Sequence, residues 1–167
     1  PNKLYLNQGN MKFKDITKEA STELEGRTGA WKTGVTMADV NGDGLLDIYV
    51  CYSGKVPEDI RRNQLFINLG NAKFKEQAKE YGLDDKSYST QAAFFDFDND
   101  GWPDIVLCNG HVYPEVGETA AESGYRQRKV AYRNTRDGRF AEVSEQLGPG
   151  IVEKVTGRGM AVGDFDN

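Results

Sequence analysis

Apolar residues in this chain come in runs of four to seven, broken by polar, glycine-bearing segments, and no long stretch keeps a 3.6-residue period. Runs such as VTMA (35–38), IYVCY (48–52), AAFF (92–95) and IVLC (105–108) are rich in β-branched and aromatic residues and predict short strands. "FKDITKEAS" and "FKEQAKEYGL" can each wind a brief helical turn.

The runs recur in two alternating units. One is a hairpin seen three times, LYLNQGNMKF (4–13), LFINLGNAKF (65–74) and AYRNTRDGRF (131–140). In each, an Asn (Asn7, Asn68, Asn134) precedes a Phe (Phe13, Phe74, Phe140) by six positions. The Gly-Asn or Asp-Gly between them accepts positive φ and closes two strands tightly. The other unit is a small apolar strand, an acidic loop and a second strand: VTMADVNGDGLLDIYVCY, AAFFDFDNDGWPDIVLCN and the shorter MAVGDFDN. The first aspartates, Asp39, Asp96 and Asp164, stand 57 and then 68 residues apart.

Four strands recurring at that interval predict an all-β fold, a β-propeller segment of four-stranded antiparallel blades. The expected division is a half blade with its connection over 1–30, full blades over 31–90 and 91–158, and the start of a further blade over 159–167, with Met160–Gly163 as its first strand. About two full blades plus two half blades fit a larger propeller, so the remaining blades, in the same or an associated chain, are expected partners. Alone, the segment leaves sheet faces and edges uncovered.

The acidic loops carry the candidate chemistry. Loop 39–47 offers Asp39, Asn41, Asp43 and Asp47, and loop 96–104 offers Asp96, Asp98, Asp100 and Asp104, with a glycine at position six of each. Position seven, Leu45 or Trp102, contributes only its backbone carbonyl. Asp164 and Asp166 begin a third copy. About five hard oxygens per loop suit Ca2+, which takes 6–8 with water or bidentate carboxylates completing the shell. Zinc wants Cys or His, and magnesium demands stricter octahedral geometry. An EF-hand needs Glu at position twelve and flanking helices, whereas Val50 and Leu107 stand there within β-rich runs. The plain alternative, polar Asp/Gly hairpin turns, does not account for acidic loops in phase with the repeat.

Net charge, −5, argues against a nucleic-acid partner, and no apolar run is long enough to span a membrane. Cys51 and Cys108 each follow the first Asp of their loop by 12 residues, as buried thiols or as a bridge between units. The lone His111 lacks a catalytic or metal-binding companion, and Trp31 and Trp102 suit blade packing, Trp102 also shielding its loop. Strand alternation puts the acidic loops and hairpin turns at one end, and the long connections 53–62 and 110–128 at the other. The latter either carry a binding surface, with Tyr113, Tyr125, Arg126 and Arg128 as candidate contacts for a protein or glycan, or pack on neighbouring blades.

The D-x-[DN]-x-D-G-x-x-D loop followed by a strand resembles the FG-GAP/VCBS repeats of integrin α-subunit propellers. More narrowly, NQLFINLGN, AAFFDFDNDGWPDIVLCNGHVYPEV, YRNTRDGRF and RGMAVGDFDN resemble the cartilage acidic protein family, whose members carry an ASPIC/UnbV domain; that domain itself is not recognisable in this sequence. The resemblance implies a calcium-binding propeller, extracellular, at the cell surface or periplasmic, with adhesive or binding roles and no catalysis. The competing expectation is the propeller portion of a secreted polysaccharide-active enzyme, which requires acids outside the loops converging in a cleft.

Overall fold

The computed structural model describes residues 1–111 and 125–163. Its ten strands are β1 (Tyr5–Asn7), β2 (Phe13–Asp15), β3 (Trp31–Ala38), β4 (Asp47–Ser53), β5 (Gln64–Asn68), β6 (Phe74–Glu76), β7 (Ser89–Phe95), β8 (Asp104–Asn109), β9 (Val130–Asn134) and β10 (Phe140–Glu142). β3-β4-β5-β6 form one antiparallel sheet, the first blade, and β7-β8-β9-β10 form the second, while β1 and β2 pair as a separate hairpin. This is the all-β, blade-like architecture that the repeat predicts.

The Asn–Phe spacing of six is the hairpin register: Asn7 faces Phe13, Asn68 faces Phe74 and Asn134 faces Phe140. Each Asn also makes the turn, its side-chain oxygen accepting the amide of the residue two further on (Gly9, Gly70 or Arg136) at 2.8–3.0 Å. The two helix-prone stretches each wind one turn, Thr17–Ala20 and Ala78–Tyr81.

Period-two alternation sends each central strand into two apolar layers. Tyr49, Cys51, Leu65 and Ile67 of the first blade meet Ile105, Leu107, Val130 and Tyr132 of the second, forming the layer between blades. Ile48, Val50, Tyr52 and Phe66 face the other way, onto Ile16, Ala20 and Leu24 beside the β1–β2 hairpin. On the far side of the second blade, Val106 and Ala131 are covered by Val143, Ile151 and Met160. The face of β3 carrying Trp31, Val35 and Met37, and the hairpin residues Tyr5 and Phe13, stay exposed, Val35 at 68%.

The blades are joined at their inner strands by a bulge that occurs twice. In β3 the register skips at Thr33, and in β7 it skips at Thr90. The freed Thr33 hydroxyl donates to Ser89 O of the next blade (2.6 Å) and lies 3.2 Å from Cys51 O of its own. Thr90 does the same toward Gly157 O (3.2 Å) and Cys108 O (2.9 Å).

The expected strand Met160–Gly163 does not form. Strand one of each blade draws its ladder from strand two, and no strand two lies beside these residues among those described. Instead the Gln91 side chain stands in for a backbone partner: Met160 N donates to Gln91 Oε1 (3.0 Å), and Gln91 Nε2 donates to Met160 O (3.3 Å). The segment thus lies along β7 in the place of an inner strand.

Both cysteines are free, buried thiols. Cys51 lies between the blades, where burial pushes its thiol pKa up, and Cys108 lies against Gly159 across the second blade. His111 is buried against the Tyr88 ring, 4.2 Å between ring centres.

Candidate metal centre

Each acidic loop is shaped by its own first aspartate. Asp39 accepts the amides of Gly42, Asp43 and Gly44 at 2.8–3.1 Å. Asp96 accepts those of Asp100 and Gly101 at 3.0 and 2.8 Å. Position five then orders position seven, with Leu45 N donating to Asp43 (2.8 Å) and Trp102 N to Asp100 (2.9 Å). Asn41 bonds Asp43 through its side chain, 2.9 Å. Gly44 and Gly101, at φ +83° and +87°, take the left-handed turn that a side chain would strain.

The last aspartate is a clasp. Asp47 opens β4 and is buried; one carboxylate oxygen accepts Val40 N of the loop (3.0 Å), the other Asn68 N at the end of β5 (2.8 Å). Asp104 opens β8 and repeats this with Phe97 N (3.2 Å) and Asn134 N (2.8 Å). One side chain therefore ties the loop, strand two and strand three. Among the described residues neither carboxylate forms an ion pair, and burial pushes both carboxyls above the ordinary 3.8, with the neighbouring aspartates adding to the rise. Burial, more than mutual repulsion of the acids, sets this shift.

The loops differ in how far they gather. Asp96, Asp98 and Asp104 each present an oxygen within 4.8 Å of the others, and this is the one such group of acids among the described residues. Asp39, Asp43 and Asp47 do not converge to that degree. Asp100 is drawn aside by Arg136 of the β9–β10 turn, whose Nε and Nη2 lie 3.0 and 2.6 Å from one oxygen and hold the carboxyl below its ordinary value. The loops also touch each other: a Cβ at Gly42 would lie 2.7 Å from the Trp102 ring, and Asn134 Nδ2 donates to Val40 O across the blades (2.9 Å). Trp102 therefore covers the neighbouring loop rather than only its own.

Asp164, Asp166 and Tyr113 lie outside the described residues. At the opposite end, Tyr125 is half-buried and its carbonyl accepts His111 N (3.2 Å), Arg126 is exposed, and Arg128 is paired with Glu142 at 2.6 Å. The other long connection is stapled to the second blade: buried Arg61 lies 4.0 Å over the Tyr88 ring and donates to Lys86 O and Val56 O. Sequence reasoning missed Arg136, Thr33 and Thr90; the two threonines are 57 apart, the spacing of Asp39 and Asp96, and that is the signal that marks them.

Four-stranded blades with an acidic loop between the first and second strands define a propeller-type repeat protein. A model of the FG-GAP-like repeat family matches residues 1–50 and 53–107, more than half of the sequence, and the chain belongs to that family. FG-GAP repeats form β-propellers, are generally structural rather than catalytic, often bind calcium, and occur in extracellular or surface proteins. No curated protein matches the chain. No helix among the described residues is long and apolar enough to cross a membrane.

Proposed function

We propose that the protein is a non-enzymatic calcium-binding propeller segment of an extracellular, cell-surface or periplasmic protein, in which Ca2+ fastens the blades and the loops present a protein- or glycan-binding surface. One observation carries this reading: in both blades the aspartate that closes the acidic loop is buried, has no cationic partner among the described residues, and is the clasp between three backbone segments. A divalent ion beside that carboxylate compensates a charge the fold has already desolvated, and stiffens the joint it holds. The donors fit: Asp39, Asn41, Asp43, Asp47 and the Leu45 carbonyl in one loop, Asp96, Asp98, Asp100, Asp104 and the Trp102 carbonyl in the other, all oxygen, as calcium requires. Asp164 and Asp166 belong to the same pattern. Millimolar extracellular calcium fills even weak sites of this kind, which agrees with a location outside the cytoplasm. The exposed apolar face of β3 is the surface that remaining blades cover. The narrower kinship, with the cartilage acidic protein family, is part of the same proposal, and Tyr113, Tyr125, Arg126 and Arg128 are its candidate partner contacts.

Calorimetric titration of CaCl2 into the decalcified intact protein is the test. Saturable heat and a raised melting temperature are expected, both lost at the first loop and weakened at the second in the Asp43→Ala plus Asp100→Ala variant; an unchanged melting temperature in the parent contradicts the proposal. The pH dependence has a defined sign. Without calcium, a carboxyl with a raised folded pKa adds stability that is complete below its unfolded value and is lost as pH rises through the folded one. Calcium needs Asp47 and Asp104 ionised, so its contribution runs the other way. The calcium-induced rise in melting temperature should be largest at neutral pH and shrink as pH falls through those raised values toward 3.8. Equal increments at pH 7 and pH 4.5 would count against it.

A further inference from the structure

The two loops present different numbers of carboxylates. Loop 39–47 has three, Asp39, Asp43 and Asp47, with Asn41 at position three; loop 96–104 has four, because Asp98 replaces that asparagine. The hairpin turns beneath them differ in a matching way. By alignment on Asn68 and Asn134, the second blade carries Arg133 and Arg136 where the first has Ile67 and Gly70. Gly70 brings no charge to its loop, whereas Arg136 reaches Asp100 through two nitrogens at 3.0 and 2.6 Å. Asp98, Asp100, Arg133 and Arg136 line one cleft.

We propose that Arg136 is a built-in counter-cation of the second loop, offsetting the additional carboxylate Asp98 through its direct pairing with Asp100. The inference rests on the calcium reading above and deepens it by naming what sets the affinity of one site. The arrangement has two physical consequences. The guanidinium repels a divalent ion over a short distance, and it holds Asp100 aside while Asp96, Asp98 and Asp104 already stand within 4.8 Å of one another. The second site therefore takes calcium on an Asp96–Asp98–Asp104 core, with Asp100 shared between ion and arginine, whereas the first depends on Asp43 at the equivalent position. Because the Arg136 side chain is half exposed, its effect is screened by salt, unlike that of a buried ligand.

The test is calcium calorimetry on the intact protein in an Asp43→Ala background, which leaves the second loop as the reporter. Arg136→Gln is expected to tighten calcium binding by roughly three- to tenfold at low ionic strength, the scale of a single-to-double charge repulsion across several ångströms in a water-like dielectric. The gain should shrink in 0.5 M KCl, which a merely structural role of Arg136 would not produce. Asp98→Asn should weaken binding by a similar factor, and the Asp98→Asn/Arg136→Gln pair should return to within about twofold of the parent background. Unchanged or weaker binding in Arg136→Gln, with melting without calcium like that of its parent, overturns the inference while leaving the calcium reading intact. No calcium uptake by the protein with both loops native overturns the calcium reading and this inference together.

Discussion

Asp104→Ala is expected to lower the melting temperature of the calcium-free protein by roughly 5–15 °C and to abolish calcium binding at the second loop. The Asp104 carboxylate is buried and receives the amides of Phe97 and Asn134. Removing it leaves those donors without an acceptor, at about 1–3 kcal/mol each, and a chain of this length loses about 2–4 °C per kcal/mol. One term opposes the loss, since burial of an ionised carboxylate is itself unfavourable. The donors win because Asn134 is also buried and cannot turn its amide to water. Asp104→Asn keeps one of the two acceptor oxygens and turns an NH2 toward the other amide, so it should cost about 1–3 kcal/mol, less than the alanine, while also removing a charge from the calcium site. Thermal melts with and without calcium read both effects, and an Asp104→Ala variant that melts like the parent refutes the clasp.

The second large effect is expected at Gly34. Its φ is not in the left-handed region; what it requires is space. A Cβ there would lie 2.8 Å from Thr90 O and 3.2 Å from Gln91 Cα, both backbone atoms of the neighbouring inner strand. Backbone cannot swing aside as a side-chain tip can, so Gly34→Val must push β3 from β7 and pull Thr33 away from Ser89 O. A cost of at least about 3 kcal/mol, or roughly 6–12 °C, follows. Gly150→Ala is the control, because a Cβ there meets nothing within 4 Å and the position is helical. It should be neutral or slightly stabilising, by up to about 1 kcal/mol. If both variants melt alike, the inner strands do not meet as described.

Much of this was legible in the residues. The six-residue Asn–Phe interval became the hairpin register, and the acidic loops fell between strands one and two because glycine and aspartate permit that turn and the flanking runs do not. What stayed hidden depends on neighbours in space. A bulge at Thr33 or Thr90 leaves no trace in an alternating pattern, since threonine suits a regular strand equally well. The link from Asn134 to Val40 crosses between blades, and an asparagine already explained by its turn gives no sign of it. The Met160–Gly163 run reads as a strand from composition, but a strand also needs a partner ladder, and Gln91 supplied only one side-chain amide. Arg136 looked like an ordinary turn residue until the turn was placed beneath Asp100.

The central claim is that a divalent ion joins the acidic loops to the strands their closing aspartates hold, and crystallography of the intact protein in millimolar calcium tests it most directly. The account predicts anomalous density in both loops, on Asp47 in one and Asp104 in the other, with oxygen contacts of about 2.3–2.6 Å. Loops filled by water alone under those conditions would contradict it.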